Sequence, residues 1–180
     1  MSNDAHLAER LISGEQVLDG YLLKVHRDKV RLPDGREATR EYVRHPGACV
    51  VIAETSPGVL VFERQYRYPV GKVFLELPAG KLDAGEEPLH CAQRELLEET
   101  GYTAALWEHL ATLHPCIGYS DERIEVFLAR DLIAGQPQRD EGEFLDVFEM
   151  SLADAEAAVL DGRITDGKTI CCLFWAKATL

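Results

Sequence analysis

Short alternations of apolar and polar positions run along most of the chain and give way to a helical period in three places. Residues 17–32 alternate loosely and read as one or two strands; Pro33-Asp34-Gly35 is a turn, and residues 37–44 return as a strand. Residues 48–53 and 59–66 are apolar strands joined by Thr55-Ser56-Pro57-Gly58. An apolar stretch at 74–77 is followed, further on, by strands expected at 104–113 (one or two of them), 124–130 and 144–150, with polar loops at 114–123 and 131–140. Pro88 and Gly101 bracket a helix whose Leu89, Ala92, Leu96 and Leu97 recur at helical spacing and face a core. Ser151 with Asp154 opens a second helix that ends at Asp161-Gly162. Thr165-Asp166 caps a third over 168–178, with Ile170, Leu173, Phe174 and Trp175 expected to pack inward, Trp175 as core rather than ligand.

Composition narrows the class. At 180 residues and 46% hydrophobic content the chain fits one domain with a sizeable core, without repeats, low-complexity stretches or an interdomain linker. No run approaches the roughly 18 apolar residues that span a bilayer, and the polar start Met1-Ser2-Asn3-Asp4 lacks a signal peptide's apolar core, so a cytoplasmic protein is expected. A net charge of −12 opposes binding to nucleic acid or an anionic membrane, and would repel an anionic substrate unless metal ions and local arginines reverse the field. Cys49, Cys91, Cys116, Cys171 and Cys172 have no Cys-x-x-Cys spacing and read as buried thiols in a reducing compartment. The histidines are scattered, so zinc has little support.

The chemistry concentrates in residues 80–102. Glu95, Glu98 and Glu99 fall at i, i+3 and i+4, side by side on one helix face. Three crowded carboxylates repel one another unless a cation sits among them, and such oxygen-rich clusters suit Mg²⁺ or Mn²⁺. Arg94 reaches Glu98 four residues on, and Glu86 can fold back from the preceding loop. On residue types alone, a solvated acidic helix face, the usual fate of a charge run, is the favoured reading. The spacing reverses that weighing: Gly80, Glu86, Arg94, Glu95, Leu96, Glu98, Glu99, Gly101 and Tyr102 resemble the Nudix box, Gly-x5-Glu-x7-Arg-Glu-U-x-Glu-Glu-x-Gly-U with U apolar. Only Tyr102 is loose, an aromatic in an aliphatic slot.

The resemblance implies a Nudix hydrolase, which cleaves a nucleoside diphosphate linked to another group. It implies an α/β fold, a Nudix-type α/β/α sandwich with a mixed sheet over residues 45–180, plus a small N-terminal antiparallel β-ribbon over 1–44 that packs across a homodimer. Other features resemble the subfamily that hydrolyses ADP-ribose. Gln65-Tyr66-Arg67-Tyr68-Pro69 is similar to a segment just before the family's box, which makes Arg67 a diphosphate contact rather than a surface strand end; Arg64 is undecided, and Tyr66 is a further candidate contact. Glu76-Leu77-Pro78-Ala79-Gly80 is similar to a family segment in which the acid touches the base or ribose region and the carbonyl of the residue at Ala79 completes the metal shell; read from the residues alone, Glu76 is either that contact or a satisfied half-buried carboxylate. Pro115 followed by Gly118-Tyr119-Ser120-Asp121-Glu122 is a subfamily feature, although Cys116 and Ile117 intervene where Ser-Pro-Gly is commoner.

The loop Arg139-Asp140-Glu141-Gly142-Glu143 corresponds to an acidic loop that supplies a metal ligand or general base, Glu143 the first candidate and Glu141 the second. The metal set expected by resemblance is thus the Ala79 carbonyl, Glu95, Glu98, Glu99 and Glu143, with Mg²⁺ as cofactor and Mn²⁺ able to substitute; Arg94 and Glu98 join the loop glutamates as the catalytic group. The expected reaction converts ADP-ribose and water to AMP and ribose 5-phosphate. The alternatives are another nucleoside diphosphate sugar or dinucleotide such as GDP-mannose or NADH, a non-hydrolysing ADP-ribose sensor, and a purely structural acidic protein. All three acids of the helix are present, which disfavours a sensor.

Overall fold

The computed structural model describes residues 4–139 and 141–180, and the chain divides into two compact units: 1–45 with 116–122, and 46–115 with 123–180. Asp140, in the acidic loop, and the first three residues, read above for a leader segment, lie outside the described residues.

In the first unit a single 3₁₀ turn, Asp4–His6, precedes β1 (Arg10–Asp19), β2 (Lys24–Arg31) and β3 (Glu37–Arg44), an antiparallel sheet in the order β1-β2-β3. β3 has its expected bounds, but β1 begins at Arg10 rather than near residue 17. The reason is physical: all ten residues of β1 are exposed, and irregularities at Leu11/Ser13 and Gln16/Leu18 interrupt its ladder with β2, so no clean alternation marks the strand. Val30 is the buried hydrophobic of this unit among the described residues, so the sheet has almost no core of its own. Residues 116–122 join it through backbone and side-chain bonds: the Val43 N–H donates to the Tyr119 carbonyl at 2.9 Å, and the Asp121 carboxylate accepts from the Arg44 guanidinium at 2.7 Å and from the His45 N–H at 2.8 Å.

The second unit is built on a mixed sheet. β4 (Ala48–Ser56), β5 (Val59–Arg67), β8 (Tyr102–Leu113), β9 (Ile124–Ala134) and β10 (Leu145–Ser151) lie in the order β10-β5-β4-β9-β8, with β6 (Lys72–Glu76) on β5 and β7 (Ala79–Lys81) on β4. β4 and β9 run parallel and the other pairs antiparallel. Parallel strands at a sheet centre are covered on both faces and so read as unbroken apolar runs, as 48–53 and 126–129 do. β9 continues to Ala134, four residues past its expected end, through Asp131 at φ 55°. Alternation splits the core in two: Val50, Ile52, Phe62 and Val126 face α2 (Leu152–Leu160) and α3 (Gly167–Thr179), while Cys49, Val51, Val61 and Phe127 face α1 (Pro88–Glu95). Helices on both faces of a mixed sheet make the expected α/β/α sandwich.

Two helix faces differ from the apolar pattern. On α1, Cys91 and Ala92 are buried, as is Leu96 just beyond it, and Leu89 is 37% exposed. On α3, Phe174 is 72% exposed and Ile170 lies at the margin, while Thr169, Cys172, Leu173 and Ala176 turn inward and Trp175 packs partly buried. The rotation of α3 is set at its first turn. Asp166 caps it by accepting the Thr169 N–H at 3.0 Å, and Thr169 Oγ1 accepts the Leu77 N–H at 3.1 Å, so residues three, four and seven beyond Thr169 must face the sheet. Of the five free cysteines, Cys49, Cys91 and Cys172 are buried as expected, whereas Cys116 and Cys171 are partly exposed. Among the described residues no helix is long and apolar enough to cross a membrane.

Candidate active site

The site grows from the joint between β7 and the helix that follows. Gly80 leaves room where any Cβ would overlap the Glu95 carboxyl group, so the strand and the helix acid lie in contact. After Glu95 the helix widens into a π turn, Leu96–Thr100, closed by Gly101 at φ 79°. In a π turn residues four to five apart come into line, so Glu99 follows Glu95 inward while Glu98 turns aside.

Arg94 binds the remaining acids. Its Nε and Nη2 each hold Glu86 at 2.9 Å, its Nη1 reaches Glu95 at 2.8 Å and Glu98 at 3.0 Å, and Nη2 also donates to the Lys81 carbonyl at 3.1 Å. Only a guanidinium has enough fixed donors for that task. These bonds, with the Asp83 N–H at 3.0 Å, hold Glu86 down at about 2. Glu86 does fold back from the loop, but onto the arginine.

Glu99 is 2% exposed and accepts the Ala79 N–H at 3.0 Å. Burial, then repulsion from Glu63, Glu95 and Glu143, pushes its carboxyl group up to about 10. Burial likewise raises Glu95, and it raises Glu63 to about 8, with Glu76 the next cause. Glu143, partly buried, acts on Glu63, Glu95 and Glu99, whereas Glu141 is exposed. The segment leading to Glu143 is fastened to the helix end. The Gln138 N–H donates to the Glu98 carbonyl at 3.0 Å, Arg139 Nε to the Glu99 carbonyl at 3.2 Å, and a Cβ on Gly101 would meet the Pro137 nitrogen at 2.7 Å.

Among the described residues no three acidic, histidine or cysteine side chains already surround one point as a finished cage. The donor set still fits a hard divalent cation. It is all oxygen, it lies around the close approach that Gly80 allows, and its carboxyl groups, once ionised, carry more negative charge than Arg94 neutralises.

On the neighbouring edge, Arg67 Nε and Nη2 grip both oxygens of Glu76 at 2.7 and 2.8 Å, and Lys168 binds both Glu76 and Asp166, the latter at 2.9 Å. Glu76 is 3% exposed; burial favours its neutral form, but the two cations outweigh it and hold the carboxyl group below its ordinary range. It is therefore a satisfied buried carboxylate, and Arg67 has part of its guanidinium committed to it. Arg64 and Tyr66, also expected near substrate, alternate onto the opposite side of β5 from Arg67; both are more than half exposed, and Arg64 lies 3.7 Å from Asp146. The structure does not bring these two together with the acids.

Sequence reasoning passed over Glu63 and Lys168. Each left a faint signal: Glu63 is an acid closing an apolar strand run, and Lys168 is a cation in the first helical turn, where the helix dipole disfavours it.

Comparison with known proteins matches this arrangement. A NUDIX domain model matches residues 43–171, and the nucleoside diphosphate sugar hydrolase N-terminal domain matches residues 9–43. The chain is 41% identical to an ADP-ribose pyrophosphatase of Bacillus subtilis, covering 91% of this chain and 89% of that one. It is 42% identical to a methanol dehydrogenase activator of Bacillus methanolicus (90% and 89% covered) and 38% identical to an ADP-ribose pyrophosphatase of Mycobacterium tuberculosis (88% and 78%). Its fold superposes on the crystal structure of an ADP compounds hydrolase with a TM-score of 0.85 at 23% identity, covering 94% and 92% of the two chains. With the box residues gathered on one helix end and the family model spanning most of the chain, the protein belongs to the Nudix hydrolase family.

Proposed function

We propose that the protein hydrolyses the diphosphate bond of ADP-ribose to AMP and ribose 5-phosphate with Mg²⁺, for which Mn²⁺ substitutes. The observation that carries this reading is the carboxylate pair of the largely buried Glu95 and the buried Glu99, set against Gly80 and Ala79 and flanked by Arg94. The names of the relatives supply the substrate.

Glu95 and Glu99 with the Ala79 carbonyl would hold the ion, and Glu98, turned aside onto Arg94, would join them on leaving that arginine. When bound, it neutralises the diphosphate, acidifies the attacking water and stabilises the leaving phosphate. Arg94 fixes the carboxylates so that their geometry does not reorganise as charge develops. Glu143 takes the proton of the attacking water, in preference to the exposed Glu141. Arg67, steadied by Glu76, turns the remaining nitrogen of its fork to a phosphate oxygen of the substrate.

Residues 1–44 act as the dimer-forming part and 45–180 as the hydrolase domain of a cytoplasmic homodimer. β1 supports this reading, since an exposed strand with Leu11, Ile12, Val17 and Leu18 on its surface offers an open edge and apolar area for a second copy. Light scattering on the eluted protein tests it; a monomer at micromolar concentration would overturn it.

The activity test is release of nucleoside monophosphate, read by ion-exchange chromatography, with Mg²⁺ or EDTA, from ADP-ribose and in parallel from GDP-mannose, NADH and a nucleoside triphosphate. Metal-dependent release favouring ADP-ribose is expected. Release from another compound alone would replace the substrate and keep the chemistry, and intact ADP-ribose after prolonged incubation would overturn the reading.

A further inference from the structure

Glu63 stands at the end of the buried run of β5, after Leu60, Val61 and Phe62, and like them it is 0% exposed. Neither of its carboxylate oxygens has a hydrogen-bond partner among the described residues. The other buried acids are all served: Glu76 by Arg67 and Lys168, Glu99 by the Ala79 N–H, and Glu125 by His109 and Thr112 at 2.7 Å each. A buried carboxyl group whose oxygens make no hydrogen bond is costly to a fold, so its presence points to an absent partner.

Strand geometry says what kind of partner is missing. Glu63 shares a face with Val61, which packs against α1, so its carboxylate is directed to the side of the sheet that carries Glu95 and Glu99. Its cross-strand neighbour on that face is Glu76, Glu99 and Glu143 are its other anionic neighbours, and the cations that act on it, Lys168 and Arg67, are both already bonded to Glu76. Gln65, two residues along the same face, also has an unpartnered oxygen, Oε1. A row of acceptor oxygens beside acids whose own cations are already engaged calls for a further cation rather than another acceptor.

We infer that Glu63 is a sheet-borne member of the metal site, placing its carboxylate toward the divalent ion that Glu95 and Glu99 hold from the helix. This rests on the metal-dependent reading above. The ion is thereby gripped from two layers of the sandwich, and the anionic charge that Arg94 leaves uncompensated is neutralised.

The test is Mn²⁺ binding followed by electron paramagnetic resonance on EDTA-stripped protein, for the wild type, Glu63→Gln, Glu63→Val and, as a reference, Glu99→Gln. Loss of Glu63 is expected to weaken Mn²⁺ by about 10–100-fold. Glu63→Val is also expected to melt higher than the wild type in EDTA, because an apolar side chain continues the strand's buried run, yet to gain less from added Mn²⁺. If Glu63→Gln fails to fold, Glu63→Val decides alone. Wild-type affinity and a wild-type Mn²⁺ gain in the Glu63 variants, with binding lost in Glu99→Gln, would overturn the role of Glu63 and leave the metal site standing. A wild type that binds no Mn²⁺ would overturn both.

Discussion

Gly80 does its work by lacking a side chain. A Cβ there would displace the Glu95 carboxyl group, which is the movable end of a flexible side chain, so Gly80→Ala is expected to shift the thermal midpoint by only a few degrees while turnover of ADP-ribose drops at least about tenfold. A large loss of stability with the turnover of the folded fraction intact would show that the glycine serves the fold instead. Glu99→Gln removes a charge from the same site and is expected to cut turnover by roughly two orders of magnitude or more, with the far-ultraviolet circular dichroism unchanged. An unaltered rate would remove Glu99 from the ligand set. Both residues were legible in the sequence because the box is a spacing, and a spacing survives without coordinates. Glu63 and Lys168 were not, because their importance lies in burial: Glu63 becomes unusual only when its oxygens are seen to be sealed and unpartnered, and Lys168 only when it is found between Glu76 and Asp166.

At the scale of elements, the first turn of α3 ties the helix to the sheet. Asp166 caps the helix and binds Lys168; burial opposes its charge, but Lys168 and Thr169 prevail and hold it below the usual aspartate range. A folded-state pKa below the unfolded one gives stability that is complete above the ordinary value of 3.8 and lost as pH falls through the folded value. Asp166→Ala is therefore expected to lose about 1–2 kcal/mol at neutral pH in urea titrations, and the gap to the wild type should close as the medium is acidified below about pH 4. A gap constant with pH would mean that the carboxylate's charge contributes nothing. The strands of the second unit were readable because burial on both faces writes itself as unbroken apolar runs. The inward face of α3 was not: the apolar residues Ile170 and Phe174 suggest one orientation, and the hydrogen bond from the Leu77 N–H to Thr169 selects another. β1 was hidden for the opposite reason, since a strand with no buried side chain leaves no periodic trace.

For the whole molecule, the net charge of −12 sets the long-range approach of an anionic substrate. Salt screens that repulsion over a Debye length of about 10 Å at 0.1 M. With Mg²⁺ held saturating, kcat/KM for ADP-ribose is expected to rise as ionic strength increases from about 0.01 to 0.1 M. A fall over that range would mean that local cations such as Arg67 dominate the encounter. The two-unit division was only partly visible in the chain: residues 116–122, read as a loop of the second half, are bonded to β3 of the first through the Val43 amide and through Asp121, whose carboxylate serves Arg44 and the His45 amide across more than 70 residues of sequence, a pairing that leaves no periodic trace.

The π turn at Leu96–Thr100 has a consequence for the lifetimes of its amide hydrogens. Its hydrogen bonds are stretched over a wider ring than those of Pro88–Glu95, so these amides are expected to trade deuterium sooner than those of the α-helical turns before them. Glu95 and Glu99 stand at the two ends of that turn, and a divalent ion shared between them would clip it shut. Protection confined to this turn on adding Mg²⁺ would make a five-residue stretch of backbone the reporter of an ion that its own side chains hold.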